Sequence, residues 1–324
     1  MSRTTRALSS VVVPLLLALA APQASASPIK PETRAALVTL RNAVRAWAPI
    51  CSNGALGLNQ PPECAQGDML EYSGMSCLVG EAARCNDVKR SQSADGRFWR
   101  NPTTAQTQVE PGDGKNSFSR DMLMGVFDYV IRSGDKAAFE RFLSYLHAHH
   151  NRMCPDATDN RCRLVPSTWG LVGFVAKKVG AHTNLWVKIA EKTVDLDVWL
   201  SSVTAPKGYM MELIAHHIMT RRALGQDSRA MKQAARRLAE RQPLNPLFRA
   251  LHEGPSEEAA QLAREICQPQ KGRLAHDIFF QRELQRDASG TIVVIRDWHE
   301  PVPPPAKDVA SGHDCMVVLD VLLQ

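Results

Sequence analysis

Five glycines set the frame for this chain. Gly80, Gly134, Gly180, Gly225 and Gly254 follow one another at steps of 54, 46, 45 and 29 residues. At each, one segment stops and a polar residue opens the next: Ser133-Gly134-Asp135, Leu224-Gly225-Gln226-Asp227, and Val179-Gly180 ahead of Thr183 or Asn184. Gly80-Glu81 and Gly254-Pro255-Ser256 are weaker versions. Glycine accepts the left-handed backbone that closes a helix, and Asp or Ser caps the one that follows. The pattern predicts a succession of helical hairpins.

The segments before and after each glycine differ in kind. Those before it, such as Asp121–Ile131 and Thr168–Val179, are apolar nearly all round. Those after it are one-sided: Phe139, Phe142, Leu143, Leu146 and His150 keep helical spacing. An all-round apolar helix is buried and a one-sided helix lies outside. Inner helices are predicted at 68–79, 118–131, 167–179, 208–224, 245–251 and 312–323. Outer helices are predicted at 31–48, just after Arg84, and at 135–150, 184–200, 227–241 and 256–267. The first outer helix has no partner before it and could pair with the last inner one. The only strand signal is the β-branched run at 291–295, and 301–305 reads as extended. The connection 91–115, with turns at Asp95-Gly96 and Asp113-Gly114, is long enough to be a lid or binding loop. No linker interrupts the pattern, so residues 27–324 are expected to form one all-α domain with that minor β segment.

Residues 1–26 read as a signal peptide: Arg3 and Arg6, an apolar run from Val11 to Ala21, then Ala24-Ser25-Ala26. The run is too short for a membrane span. Export to the periplasm or beyond is the expected localisation. Removing the two arginines lowers the net charge from +6 to about +4, too mild and dispersed for a nucleic-acid partner. All eight cysteines lie downstream. Export permits disulfides. Sequence proximity favours Cys154–Cys162, with Cys51–Cys64 and Cys77–Cys85 as local pairs and Cys267–Cys315 left to tie down the last segment. The spacings lack C-x2-C, which argues against zinc.

Gly67-Asp68, Asn116-Ser117-Phe118-Ser119-Arg120-Asp121, Ser167-Thr168-Trp169-Gly170-Leu171 and Gly312-His313-Asp314 each place polar residues where an inner helix begins. With six inner and six outer helices, the chain resembles the (α/α)6 toroids of the six-hairpin glycosidase-like superfamily. The resemblance is architectural. It implies one cleft lined by inner-helix N-termini, and a glycoside hydrolase or polysaccharide lyase.

On that reading Asp121, Asp68 and Asp314 are the candidate catalytic carboxylates. Two of them about 5–5.5 Å apart would retain anomeric configuration, and about 6.5–9.5 Å apart would invert it. First-turn acids also complement the helix dipole without any function. Glu71 shares a helix face with Asp68. Arg120, Trp169, Trp99, His216 and Tyr209 are the candidate substrate-binding groups, Trp99 through the Phe98-Trp99 pair on the long loop. Tyr209 and His216 would carry protons in a lyase. Glu212-x-x-x-His216 and His147-Ala148-His149-His150 are poor metal motifs, and no nucleotide-binding fingerprint is present, so neither metal nor cofactor is expected. The expected function is exported glycan processing. The alternative is a non-catalytic toroid that holds a glycan or an envelope protein, and a monomer is expected in either case.

Overall fold

The computed structural model describes residues 27–58, 62–65, 67–108, 118–154, 162–183, 185–205, 208–268, 280, 282–296 and 312–324. The signal-peptide segment, Asn116-Ser117, the 155–160 loop and the 301–305 segment lie outside the described residues. The described residues form an all-helical protein with one two-stranded sheet.

The helices are α1 (Pro31–Trp47), α2 (Met69–Leu78), α3 (Ala82–Arg90), α4 (Pro102–Thr107), α5 (Arg120–Ser133), α6 (Lys136–Ala148), α7 (Pro166–Val179), α8 (Leu185–Glu191), α9 (Val194–Thr204), α10 (Tyr209–Ala223), α11 (Arg229–Arg241), α12 (Pro246–Glu253), α13 (Glu257–Ile266) and α14 (His313–Leu323). Gly134 and Gly180 end α5 and α7 in the left-handed conformation. Asp135, Ser228 and Ser256 cap α6, α11 and α13, each accepting a hydrogen bond from a backbone N–H three residues on. The alternation of burial follows the apolar pattern. From Asp121 to Ile131 every residue of α5 is buried, whereas α11 buries only Met231, Ala234, Ala235, Leu238 and Ala239.

Two expectations are corrected and a third is extended. The outer helix expected at 184–200 is two helices, because Lys192 and Thr193 donate to carbonyls three residues back and tighten the turn. The connection 91–115 is not one irregular loop: Asn101 and Thr104 form a reciprocal capping box that nucleates α4. The run at 291–295 is strand β2 (Ile292–Arg296), paired with an unforeseen antiparallel partner β1 (Glu283–Arg286). The rule that outer helices face solvent with polar residues also fails on α9, where Leu196, Leu200 and Val203 are exposed.

Five neighbouring pairs of inner helices pack on one another, α14 on α2, α2 on α5, α5 on α7, α10 on α12 and α12 on α14, while the step from α7 to α10 is not a substantial contact. In addition α10 packs across on both α5 and α2. The unpaired first helix, α1, lies on α14 and α13, and Arg45 grips Asp320 of α14 with two bonds of 3.0 and 2.8 Å. The closest approach is α2 against α5. A Cβ at Gly74 would lie 2.1 Å from Cα of Gly125, and one at Gly125 would lie 2.2 Å from the Leu70 carbonyl oxygen. Only glycine lets the two backbones meet there.

The core forms two hydrophobic clusters. One gathers α1 and α9 to α14, and the other gathers α3 and α5 to α8. Helix α2 belongs to both, giving Met69, Tyr72 and Met75 to the first and Leu70 to the second. Four cysteine pairs stand at disulfide distance, Cys51–Cys64, Cys77–Cys85, Cys154–Cys162 and Cys267–Cys315, with Cα separations of 5.9, 4.7, 5.3 and 5.5 Å. All fall in the range a disulfide spans. No helix of the described residues is long and apolar enough to cross a membrane.

Candidate functional site

The seam between the two clusters carries an unusual load of charge. Glu71 of α2, Asp128 of α5 and His216 of α10 have no exposed surface. His216 Nδ1 lies 3.1 Å from Glu71 Oε1, and its Nε2 lies 2.6 Å from Asp128 Oδ2. The Thr220 hydroxyl, one turn on, donates to Asp128 Oδ1 at 2.7 Å. The glycine contact between α2 and α5 holds Glu71 and Asp128 on one side of this seam. The crossing of α10 inserts His216 between them.

Burial alone would pull the His216 imidazole down, but Asp128 and then Glu71 hold its proton and raise it to about 10. It is therefore an imidazolium at neutral pH, clamped by two carboxyl groups. Glu71 is pushed up to about 7 by burial, with the fields of Asp121 and Asp68 adding to the rise and His216 opposing it. Its second oxygen, Oε2, is buried and has no hydrogen-bond partner. A carboxyl group that is half protonated near neutrality, with one oxygen uncommitted, can give or take a proton.

Other acids surround it. The Tyr72 hydroxyl donates to Glu212 Oε1 at 3.4 Å. Burial, then the charges of Glu212, Asp314, Glu71 and Asp68, hold the Tyr72 phenol well above its usual range. The Tyr72 ring also packs 5.1 Å from the ring of His313, whose Nε2–H meets the Gly57 carbonyl at 3.1 Å.

The predicted carboxylates reach this neighbourhood, each engaged in its own contact. Asp68 precedes α2, makes no capping bond, and pairs with Arg100 at 3.0 Å. Asp121 is buried in the first turn of α5, where Oδ1 accepts from the Met122 N–H and from the Ser119 hydroxyl. Asp314 is wholly buried, and its Oδ2 accepts from the Phe280 N–H. Asp68 and Asp121 both act on Glu71, and Asp68 and Asp314 both act on Tyr72.

The predicted binding groups scatter. Arg120 is half-buried at the start of α5 and borders a cavity of about 320 Å3 with Ser167, Thr168, Asp197, Ser201 and His217. His216 is a wholly buried bridge. Trp169 lies across α7 from that cavity, beside Leu143, His147 and His182 in a hollow of about 140 Å3. Trp99 does not form a cleft wall or lid. It is buried, its Nε1–H donates to Ser93 Oγ at 3.0 Å, and the Arg97 guanidinium covers its ring at 3.7 Å. Its neighbour Phe98 sits in the core, edge-on to Phe142. The segment is pinned to α6, where Gln92 Nε2 donates to the Ala138 carbonyl and a Cβ at Gly96 would lie 2.3 Å from the Arg141 carbonyl oxygen. Tyr209 opens α10, and its side chain lies outside the described residues.

Asp128 was invisible to motif reasoning, as was the pairing of His216 with Glu71. The one available signal was that a buried-looking helix, 118–131, carried an acid in its middle. A mid-helix acid among apolar neighbours needs a partner.

The opposite ends of the same helices look different. Leu78, Ile131, Met219, Leu251 and Val321, in the last turns of α2, α5, α10, α12 and α14, line an open hollow of about 900 Å3, with Arg132, Lys178 and Arg222 at its border. No protein-family model, curated protein or solved structure matches this chain.

Proposed function

We propose that this chain is an exported glycan-processing enzyme built on an (α/α)6 toroid, with Glu71 as its proton-transferring group. What supports the architecture is that five of the six neighbouring pairs of inner helices pack on one another and that five of these helices share a hollow at their C-terminal ends. The crossing of α10 onto α5 and α2 pinches such a ring and draws its centre shut around Glu71. Four disulfide-distance pairs favour an oxidising compartment, as an exported chain would meet.

The observation that carries the reaction type is the state of Glu71. It is an acid held near neutrality with an uncommitted oxygen, while Asp68 is paired with Arg100 and Asp121 accepts from Ser119 and Met122. In the proposed mechanism Glu71 protonates the leaving oxygen of a glycosidic bond. The His216 imidazolium fixes its Oε1, and Asp128 and Thr220 fix His216. Asp68, a third exposed and close enough to act on Glu71, is the counterpart that faces water. The test is release of reducing ends, or of unsaturated ends, from a panel of bacterial and plant polysaccharides. E71Q keeps the shape and removes the titration. We expect it to lower turnover by about 100-fold or more, the low end of general-acid contributions, with its circular dichroism unchanged. A folded E71Q with full activity contradicts the assignment.

One observation favours a second reading. Glu71, His216, Asp128 and Asp314 have no exposed surface. Under that reading they are a polar staple of the core, and the chain is a binding protein that uses its open ends. Absence of activity on every polysaccharide, together with saturable binding of one of them, would select it.

A further inference from the structure

The cavity beside Arg120 has features that the glycan reading does not use. It lies between the N-terminal halves of α5, α7 and α10, with α9 as its outer wall. Arg120 faces it from α5 and Asp197 from α9, and neither has an ion-pair partner among the described residues. The start of α7 opens onto it without a side-chain cap: Val165 occupies the capping position, and Ser167 and Thr168 follow in the first turn. Backbone N–H groups at such an end attract a carboxylate. The walls are apolar, from Met124, Val198, Met210, Leu213 and Ile214. The cavity is also bordered by His217, which is 7% exposed and whose Nε2 is buried without a partner. Burial, then Arg221 and His216, hold that imidazole neutral at ordinary pH. It keeps one N–H and one lone pair.

A buried nitrogen without a partner is costly unless something hydrogen-bonds it. One cation, one anion and an uncapped helix start around an apolar pocket call for a ligand with both charges and an apolar body. A neutral sugar hydrogen-bonds Arg120 and Asp197 but leaves both charges uncompensated, and a simple fatty acid sets its carboxylate against Asp197. We propose that this cavity binds a free apolar α-amino acid. The carboxylate lies on Arg120 and the α7 N-terminus, the ammonium on Asp197 and Ser201, and the side chain among Met124, Met210, Leu213 and Ile214. Nε2 of His217 completes the set with a hydrogen bond to the ligand. The volume is at the small end of ligand pockets, as such a molecule requires.

The proposal is independent of the glycan reading, because binding is measured without turnover. Calorimetric titration of the whole chain with L-leucine and L-phenylalanine is expected to saturate. 4-Methylpentanoate, which lacks the amine, and 3-methylbutylamine, which lacks the carboxylate, are each expected to bind at least tenfold more weakly than leucine. R120Q and D197N, at half-buried positions, should keep the melting temperature and each lose at least tenfold in leucine affinity. That is the scale of one charge-assisted bond. The 15N resonances of His217 should move as leucine saturates. Failure of both amino acids to bind overturns the proposal. So does 4-methylpentanoate binding as tightly as leucine, full leucine affinity in D197N, or a His217 signal that stays still while leucine binds.

Discussion

The two ends of the inner helices carry opposite charge and opposite packing. At the N-terminal ends, Glu71, Asp121 and Asp314 occupy first turns and are buried. At the C-terminal ends, Arg132, Lys178 and Arg222 occupy last turns around an open hollow. Both arrangements complement the helix dipole, so the sign of the charge marks neither end as a site. Desolvation separates them. Removing a carboxyl from water at the N-terminal end shifts its proton affinity, and an exposed arginine at the other end gains at most about 1 kcal/mol. Function is therefore sought where charge is buried, although the larger opening lies at the other end.

The comparison breaks most sharply at His216. H216L leaves Glu71 and Asp128 facing each other without their cation. It should cost about 3–5 kcal/mol, the range for breaking a buried ion pair, read as a drop in urea midpoint. The same experiment on R132Q should move the midpoint by less than about 0.5 kcal/mol. Comparable losses at the two ends would erase the distinction.

A second, smaller effect tests how the seam is assembled. G74A places a methyl group inside the α2–α5 contact and should destabilise by about 1–3 kcal/mol. Because the helices must part to admit it, the effective pKa of Glu71 should also move. A purely steric loss with Glu71 unchanged would show that the glycines pack the helices without positioning the acid.

The seam should also show in pH dependence. His216 holds its proton more tightly folded than unfolded, so its stabilisation is complete below about 6.5 and fades as pH rises toward about 10. Glu71 also prefers its proton when folded, so its contribution falls between about 4.5 and about 7. His217 and His313 are held low by burial, to about 3 and about 4, and oppose the fold as pH drops below about 6.5. The wild type should lose stability from pH 7 to 10, and H216L should show a flatter limb there. Parallel limbs would remove His216 from the account.

Much of the fold was legible because its signals are local. The glycine stops and polar starts bracket α5, α6, α7, α10 and α11 to within about two residues, the usual fuzziness of helix ends. The four cysteine pairs follow from nearness in the chain for three and from elimination for the fourth. What was not legible depends on distance. Strand β1, Glu-Leu-Gln-Arg, has no β-branched residue and owes its conformation to pairing with β2. The break between α8 and α9 follows from docking on α7, where Gly170 lies against Val194 and Gly173 against Glu191. The site was legible in type and not in identity. Acids at inner-helix starts were foreseen, but the one held near neutrality is decided by how deeply the fold buries it, against the pull of a histidine 145 residues away.

The account rests on the proton of Glu71. Its side-chain carboxyl carbon can be followed by 13C resonance from pH 4 to 9, with E71Q assigning the signal. A midpoint near 7 is expected. A midpoint near 4.5, the ordinary glutamate value, would mean that the seam does not hold the proton and that Glu71 is not the group that transfers it.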